Sequence, residues 1–174
     1  MESASPENKL FSFLDTLGIE TVTHRHTPVF TVEEAQAVRA STGTPMDGGH
    51  AKSLFLRDKK KRRALVIVEE NRQTDLKSLA PLIGLGRVSF GSPNSLQNML
   101  GVTPGSVTPF ALVNAQNPES GVPPFVIALD KKLMAQTPLW FHPLHNNATT
   151  AIAPDDLIKF IEACGYKPRV IDLD

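Results

Sequence analysis

Apolar residues fall along the chain in short runs whose period keeps changing. Residues 6–17 carry Leu10, Phe11, Phe13, Leu14 and Leu17 on one side at helical spacing, and Gly18 marks a stop. Ile19 to His26 alternates loosely and reads as a strand. Thr31-Val32-Glu33-Glu34 is a capping box that opens a helix reaching about Ala40. Residues 41–49 are a loop. His50 to Arg57 and Ala64 to Val68 form a hairpin; the second run is apolar at every position, as in a strand covered on both faces. A helix follows from Asp75 to Gly84, with Thr74 as a cap and Pro81 set to kink or end it. Then come a short strand, Arg87 to Gly91, and a short helix, Ser95 to Leu100, capped by Asn94 or Ser92 and ended by Gly101.

Phe110 to Val113 reads as a core strand and residues 115–124 as a surface loop. Phe125 to Leu129, Leu139 to Pro143 and Thr149 to Ala153 are further strands, with one helical turn at Asp130 to Met134. Pro154-Asp155-Asp156 opens a last helix that ends at Gly165, and Arg169 to Leu173 adds an edge strand. Many short strands, a hairpin and no regular βαβ repeat predict an α+β fold, a mixed and mostly antiparallel sheet flanked by helices.

Length and charge narrow the picture. The 174 residues fit a single domain, 1–174, and an apolar fraction of 41% supports a real core. Eighteen basic residues balance eighteen acidic ones, which argues against non-specific coating of nucleic acid but permits a local patch. Such a patch exists at the hairpin tip, where Arg57, Lys59, Lys60, Lys61, Arg62 and Arg63 surround Asp58. It is either a solvated turn carrying gatekeeper charges or a phosphate contact. One cysteine, Cys164, excludes an intrachain disulfide and a cysteine-based metal site. The first residues lack the basic and apolar regions of a signal peptide, and no apolar run approaches the ~20 residues of a membrane span. The expected location is cytoplasmic, with no membrane partner.

The stretch richest in candidate chemistry is residues 101–114. Gly101, Pro104, Gly105 and Pro109 make it stiff in places and bare of side chains in others. It is either an ordinary tight turn or a donor-rich loop whose Gly105, Ser106, Val107 and Thr108 N–H groups meet a carbonyl or oxyanion. Lys52 shares strand parity with Leu54 and Leu56, so it either snorkels past the core or presents an ammonium to an anion. His24, His26, His142 and His145 match no zinc signature, and His142 is either a packed or surface histidine beside Trp140 or a group for proton transfer or substrate positioning. There is no Gly-x-Ser-x-Gly elbow, P-loop or Rossmann fingerprint.

Four segments occur together in a familiar order: Thr27-Pro28-Val29-Phe30-Thr31-Val32-Glu33-Glu34-Ala35, His50-Ala51-Lys52-Ser53-Leu54-Phe55-Leu56-Arg57-Asp58, Gly101 to Leu112, and Phe141-His142-Pro143-Leu144 continued by Asn146 to Ile152. In this the chain resembles the YbaK/ProX family of aminoacyl-tRNA deacylases, and within it the free-standing ProX group related to the editing domain of prolyl-tRNA synthetase. The resemblance implies a curved, mostly antiparallel sheet flanked by helices and hydrolysis of the ester between a wrong amino acid and tRNA, with no cofactor or metal. It implies that the Gly105 to Pro109 backbone holds the aminoacyl end and that Lys52 contacts the tRNA terminus. His142 then lies near the amino-acid pocket, Phe30, His50, Ser53, Asn146, Asn147 and Thr149 contribute to substrate binding, and Arg57, Lys59, Lys60 and Lys61 touch the acceptor stem.

Ser53 stands where the family usually has asparagine, Asn147 where threonine is frequent, and His145 where a small apolar residue is common. The expected substrate is alanyl-tRNA(Pro). Cysteinyl-tRNA(Pro) or another mischarged tRNA, and a non-catalytic tRNA- or synthetase-binding module, are the alternatives. The expected partners are the tRNA(Pro) acceptor end and prolyl-tRNA synthetase or an elongation factor.

Overall fold

The computed structural model describes residues 5–41, 46–117 and 125–174. Most of the two loops expected at 41–49 and 115–124 lies outside these residues.

Helix α1 (Pro6–Thr16) starts where Ser5 accepts a hydrogen bond from the Asn8 N–H at 3.2 Å, with proline in the first turn. Strand β1 (Val22–Arg25) leads to α2 (Val32–Ser41). The Thr31 hydroxyl caps the Glu34 N–H at 3.1 Å. The Glu34 carboxylate accepts from the Phe30 N–H at 3.2 Å, one residue before the position a capping box would use. Strands β2 (Gly49–Asp58) and β3 (Arg63–Glu69) form the hairpin. Helix α3 (Leu76–Leu82) is capped by Asp75 rather than Thr74, and it stops one residue after Pro81. Strand β4 (Val88–Phe90) and α4 (Pro93–Leu100) follow, with Ser92 as the cap and Gly101 at φ 68° closing the helix.

The expected strand at Phe110–Val113 is instead the centre of a 3₁₀ segment, Pro109–Asn114. Thr108 caps it by accepting from the Phe110 N–H at 3.3 Å, and Pro109 supplies the first helical φ. All five residues from Pro109 to Val113 are buried. A short run that is apolar on every side carries no period, so pattern alone does not separate a buried strand from a buried turn. The chain ends with β5 (Phe125–Asp130), α5 (Lys131–Met134), β6 (Leu139–Phe141), β7 (Ala148–Ile152), α6 (Pro154–Ala163) and β8 (Arg169–Ile171).

The strands make one mixed sheet in the order β1-β7-β6-β2-β3-β5-β8, with β4 also on β2. Pairings β1/β7, β6/β7, β2/β3 and β2/β4 are antiparallel, and β2/β6, β3/β5 and β5/β8 are parallel. The α+β, mostly antiparallel expectation therefore stands. β3 lies in the middle and is covered on both faces, as its unbroken apolar run required. Leu65 and Ile67 face a core built with α1, α4, α6 and the 3₁₀ segment, while Ala64, Val66 and Val68 face a second core under α3.

The first core is knit by aromatic edges. Phe110 meets Phe141 at 5.7 Å and Phe160 at 5.6 Å, both edge to face. Phe110 directly follows the Gly105–Pro109 loop, so this cluster anchors the loop's far end. Phe110→Ala is expected to cost about 3–5 kcal/mol by leaving a cavity in a fully buried site. Urea unfolding checks this.

Candidate functional site

One edge of β2 is shared by two strands that do not meet. β6 pairs with Gly49 and His50, and β4 pairs with Leu56 to Asp58. Between them no strand among the described residues pairs with β2 on that side. The His50 carbonyl accepts from the Glu70 N–H on the β3 side at 2.9 Å, and the Phe55 carbonyl accepts from the Gly91 N–H on the other side at 2.9 Å. The alternation of an antiparallel ladder therefore turns the Ser53 N–H and C=O toward the opening.

A cavity of about 170 Å³ sits at this gap. Its walls come from the segment leading into α2 (Val29 to Val32), from α2 itself (Ala35, Arg39), from the start of β2 (His50 to Ser53), from Pro104, Gly105 and Val107, and from Trp140 to His142 with Thr149. At roughly 30 Å³ per water, it has room for about five or six waters, the scale of a small side chain with an ester group. A larger, shallower cleft between α3 and β4 contains none of the expected catalytic or substrate-binding residues.

The fold gathers Phe30, His50, Lys52, Ser53, Gly105, Val107, His142 and Thr149 around this cavity. Ser106, Thr108 and Pro109 are instead buried beneath the loop. The Ser106 N–H, expected to be free, donates to the Thr103 carbonyl at 2.9 Å in a 3₁₀ turn, Pro104–Ser106. The Gly105 N–H has no acceptor among the described residues. A Cβ on Gly105 would approach the Phe30 ring to 3.2 Å and the Asn146 amide to 3.6 Å, so glycine keeps the wall open. Asn146 acts as a brace rather than as lining: its amide donates to the Val29 carbonyl at 2.9 Å, and its own carbonyl accepts from the Val29 N–H at 3.0 Å. Asn147 is exposed and its carbonyl accepts from the His26 N–H at 3.0 Å.

The histidine protonation follows from their partners. His142 Nδ1 faces the Ala148 carbonyl at 2.9 Å. A carbonyl only accepts, so Nδ1 carries the proton and Nε2 keeps a lone pair. Burial pushes the imidazole below its ordinary value of 6.5; the carbonyl contact opposes this, and the charges of His26 and His145 assist it. His50 donates from Nε2 to the Met46 carbonyl at 2.6 Å and stacks on Trp140 at 6.0 Å, and burial lowers its pKa too. His26 donates from Nδ1 to the Thr27 carbonyl at 2.8 Å, and its Nε2 is hydrogen-bonded to the Thr149 hydroxyl at 2.7 Å. Thr149 is thus oriented by His26, a role that the histidine spacing alone does not indicate.

The Lys52 side chain has no ion pair or hydrogen bond among the described residues. Arg39, Glu70 and Trp140 also line the cavity and were not singled out from the sequence. Only strand parity combined with the β2/β3 register, which puts Glu70 opposite His50, would have found the glutamate. Arg57, Lys59, Lys60 and Lys61 are exposed at the hairpin tip, away from the cavity. Arg57 is five strand residues from Lys52, about 17 Å at ~3.3 Å per residue. Asp58 organises this tip, accepting from the Lys60 N–H at 2.9 Å and from Arg62 Nε at 2.6 Å. Cys164 is buried, and desolvation pushes its thiol up to about 12.

The described residues contain no helix long and apolar enough to cross a membrane. Residues 26–160 match the family model of the aminoacyl-tRNA editing domain. The chain is 34% identical over 161 residues to the prolyl-tRNA editing protein ProX of Acetoanaerobium sticklandii, covering 92% of this chain and 93% of the relative. It is 34% identical over 169 residues to prolyl-tRNA synthetase associated domain-containing protein 1 of Xenopus laevis, covering 95% and 96%. A solved structure described as a proposed trans-editing enzyme for prolyl-tRNA synthetase superposes with a TM-score of 0.70 at 21% identity, over 98% of both chains. The loop, the lysine and the histidine gathered at the β2 gap thus sit in a chain whose sequence matches over nearly its whole length, and the protein belongs to the aminoacyl-tRNA editing domain family.

Proposed function

We propose that this protein is a trans-editing deacylase that hydrolyses mischarged tRNA(Pro), with alanyl-tRNA(Pro) as its principal substrate. The observation that carries the reading is one small cavity joining, among the described residues, a lysine with no ion pair (Lys52), an uncharged imidazole with a free lone pair (His142 Nε2), the Gly105 N–H, which has no acceptor there, and the Ser53 N–H, which the β2 ladder turns toward the opening. The names of the ProX and synthetase-associated relatives support prolyl-tRNA as the substrate class.

Lys52 holds a phosphate of the terminal nucleotide, and the hairpin-tip cations Arg57, Lys59, Lys60 and Lys61 meet phosphates farther along the acceptor end. The ester carbonyl lies against the Gly105 and Ser53 N–H groups. Water, hydrogen-bonded to His142 Nε2, attacks the carbonyl carbon as its proton passes to that nitrogen. The oxyanion forms facing the backbone donors, whose positions are set by the fold before the reaction begins. Collapse breaks the bond to the ribose oxygen, which takes the proton back, releasing amino acid and tRNA. Phe30 and Trp140 bound the space around the side chain, so exclusion of the bulkier proline ring is assigned to this wall.

Deacylation of tRNA(Pro) charged with alanine, cysteine, serine or proline, at catalytic protein concentration, tests this. Rapid loss of the alanyl ester with prolyl-tRNA spared is expected. Loss of the cysteinyl ester alone would change the substrate, and loss of none would overturn the activity. Lys52→Ala is expected to lower kcat/KM by about 10–100-fold, the worth of one charge-assisted hydrogen bond, chiefly through KM.

The buried histidines set a pH dependence. Their folded pKa values lie below 6.5, so above that pH both folded and unfolded forms are neutral and nothing is lost. As pH falls below 6.5 the unfolded chain binds protons first, and stability declines until the folded values are passed. Urea unfolding from pH 7.5 to 5 is expected to show this decline, and His142→Gln to make it shallower. Activity is expected to stay flat at neutral pH and to fall only below 6.5.

A further inference from the structure

Lys52 and Glu70 are set up to pair and do not. In the β2/β3 register Lys52 lies opposite Val68, and Glu70, just past β3, lies opposite His50. Lys52, His50, Val68 and Glu70 therefore share one face, with Lys52 and Glu70 as diagonal neighbours, a separation that long side chains span. Glu70 is also the one carboxylate on the described cavity wall. Yet its Oε1 accepts from Arg39 of α2, in a short ion pair, and from the Gln36 amide at 3.4 Å. The Gln36 amide also donates to Asn71 at 3.0 Å, which holds the same turn. The Lys52 ammonium is left without a carboxylate.

We propose that Arg39 is a positioning residue: by engaging Glu70, with help from Gln36, it keeps that carboxylate from capturing Lys52, so that the ammonium stays available to the phosphate of the RNA terminus. The pair thus guards the cation that the proposed function uses, and the inference rests on that reading of Lys52. Glu70 itself does no chemistry in this arrangement. An uncompensated Glu70 beside Lys52 would form an internal ion pair that the incoming phosphate must break, and it would repel that phosphate.

The test is a rescue experiment. Four proteins are compared: the parent, Arg39→Met, Glu70→Gln and the double variant, with thermal melts to verify folding. Methionine keeps much of the packing of the arginine stem while removing its charge. The first readout is binding of a deacylated RNA hairpin carrying the tRNA(Pro) acceptor stem and CCA end, which needs no turnover. The second is kcat and KM on the aminoacylated substrate. Arg39→Met is expected to weaken binding and raise KM about tenfold, the loss of one charge-assisted contact, with kcat little changed. Glu70→Gln and the double variant are expected to stay within about threefold of the parent, because removing the carboxylate removes the need for the guard.

Rescue by Glu70→Gln is the signature that a merely structural role for Arg39 would not give. An unaffected Arg39→Met, a Glu70→Gln variant that is itself impaired, or a double variant that is folded but no better than Arg39→Met would overturn the proposal. Loss of folding in the double variant would assign the pair to the fold and overturn it as well. A parent that binds the hairpin without hydrolysing any ester would sink the deacylase reading and leave the guard intact. A parent that does not bind it would sink both.

Discussion

The site depends on an unfilled place in a β-ladder. β2 is ten residues long, and two short strands, β6 and β4, take its two ends on one side. Backbone groups at a sheet edge need partners, and a paired strand would have covered Ser53. Here the break leaves a peptide unit facing open space, and the flanking segments close around it. The turn at Pro104–Ser106 packs against the Val29–Phe30 segment, which Asn146 fastens. The sheet thus positions the cavity and supplies part of its hydrogen-bonding surface, on a rigid element rather than a loose loop.

Polarity changes along single rows of the sheet. On β2, Leu54 and Leu56 lie in the core under α3, and the next two positions on the same face are Lys52 and His50. On β3, Val66 and Val68 lie in that core and Glu70 follows. The apolar rows stop where α3 stops covering them, and the polar residues begin where α2 takes over. α2 has no buried residue, and its contacts through Arg39 and Gln36 to the Glu70–Asn71 turn are polar. That turn is in turn fixed by buried Asp130, which accepts from the Glu69 N–H at 3.0 Å and from Arg72 Nε at 2.8 Å. The donors around this buried carboxylate fill its acceptor capacity, and it holds the end of β3 against β5. Burial disfavours the charged form of His50 and His142, while the backbone carbonyl that each donates to fixes its tautomer and partly opposes that shift.

Net charge is zero, but the charges are segregated. The hairpin tip gathers cations around a single organised aspartate, while Lys52 forms no ion pair among the described residues and its diagonal neighbour on the same face, Glu70, pairs with Arg39. A surface basic enough to meet phosphates therefore coexists with a balanced chain.

Local pattern determined much of this by itself. Helical spacing gave α1, Pro154 and the two aspartates after it gave the start of α6, the unbroken apolar run of Ala64 to Val68 gave a strand buried on both faces, and the ordered motifs brought Lys52, Gly105 and His142 forward as a set. These are properties of neighbouring residues or of short segments, which sequence records directly. Tertiary structure decided the rest. The Phe110 segment became a 3₁₀ turn because it is buried on every side, and no periodicity distinguishes that from a strand. Ser106, Thr108 and Pro109 went under the loop while Gly105 stayed at the surface of the cavity, since a turn must bury one side of itself. Arg39 and Glu70 are 31 residues apart, and Thr149 is 123 from His26. Such pairs exist only once strand register and helix placement bring them together, because the energy of an ion pair or hydrogen bond depends on distance in space and not on distance along the chain.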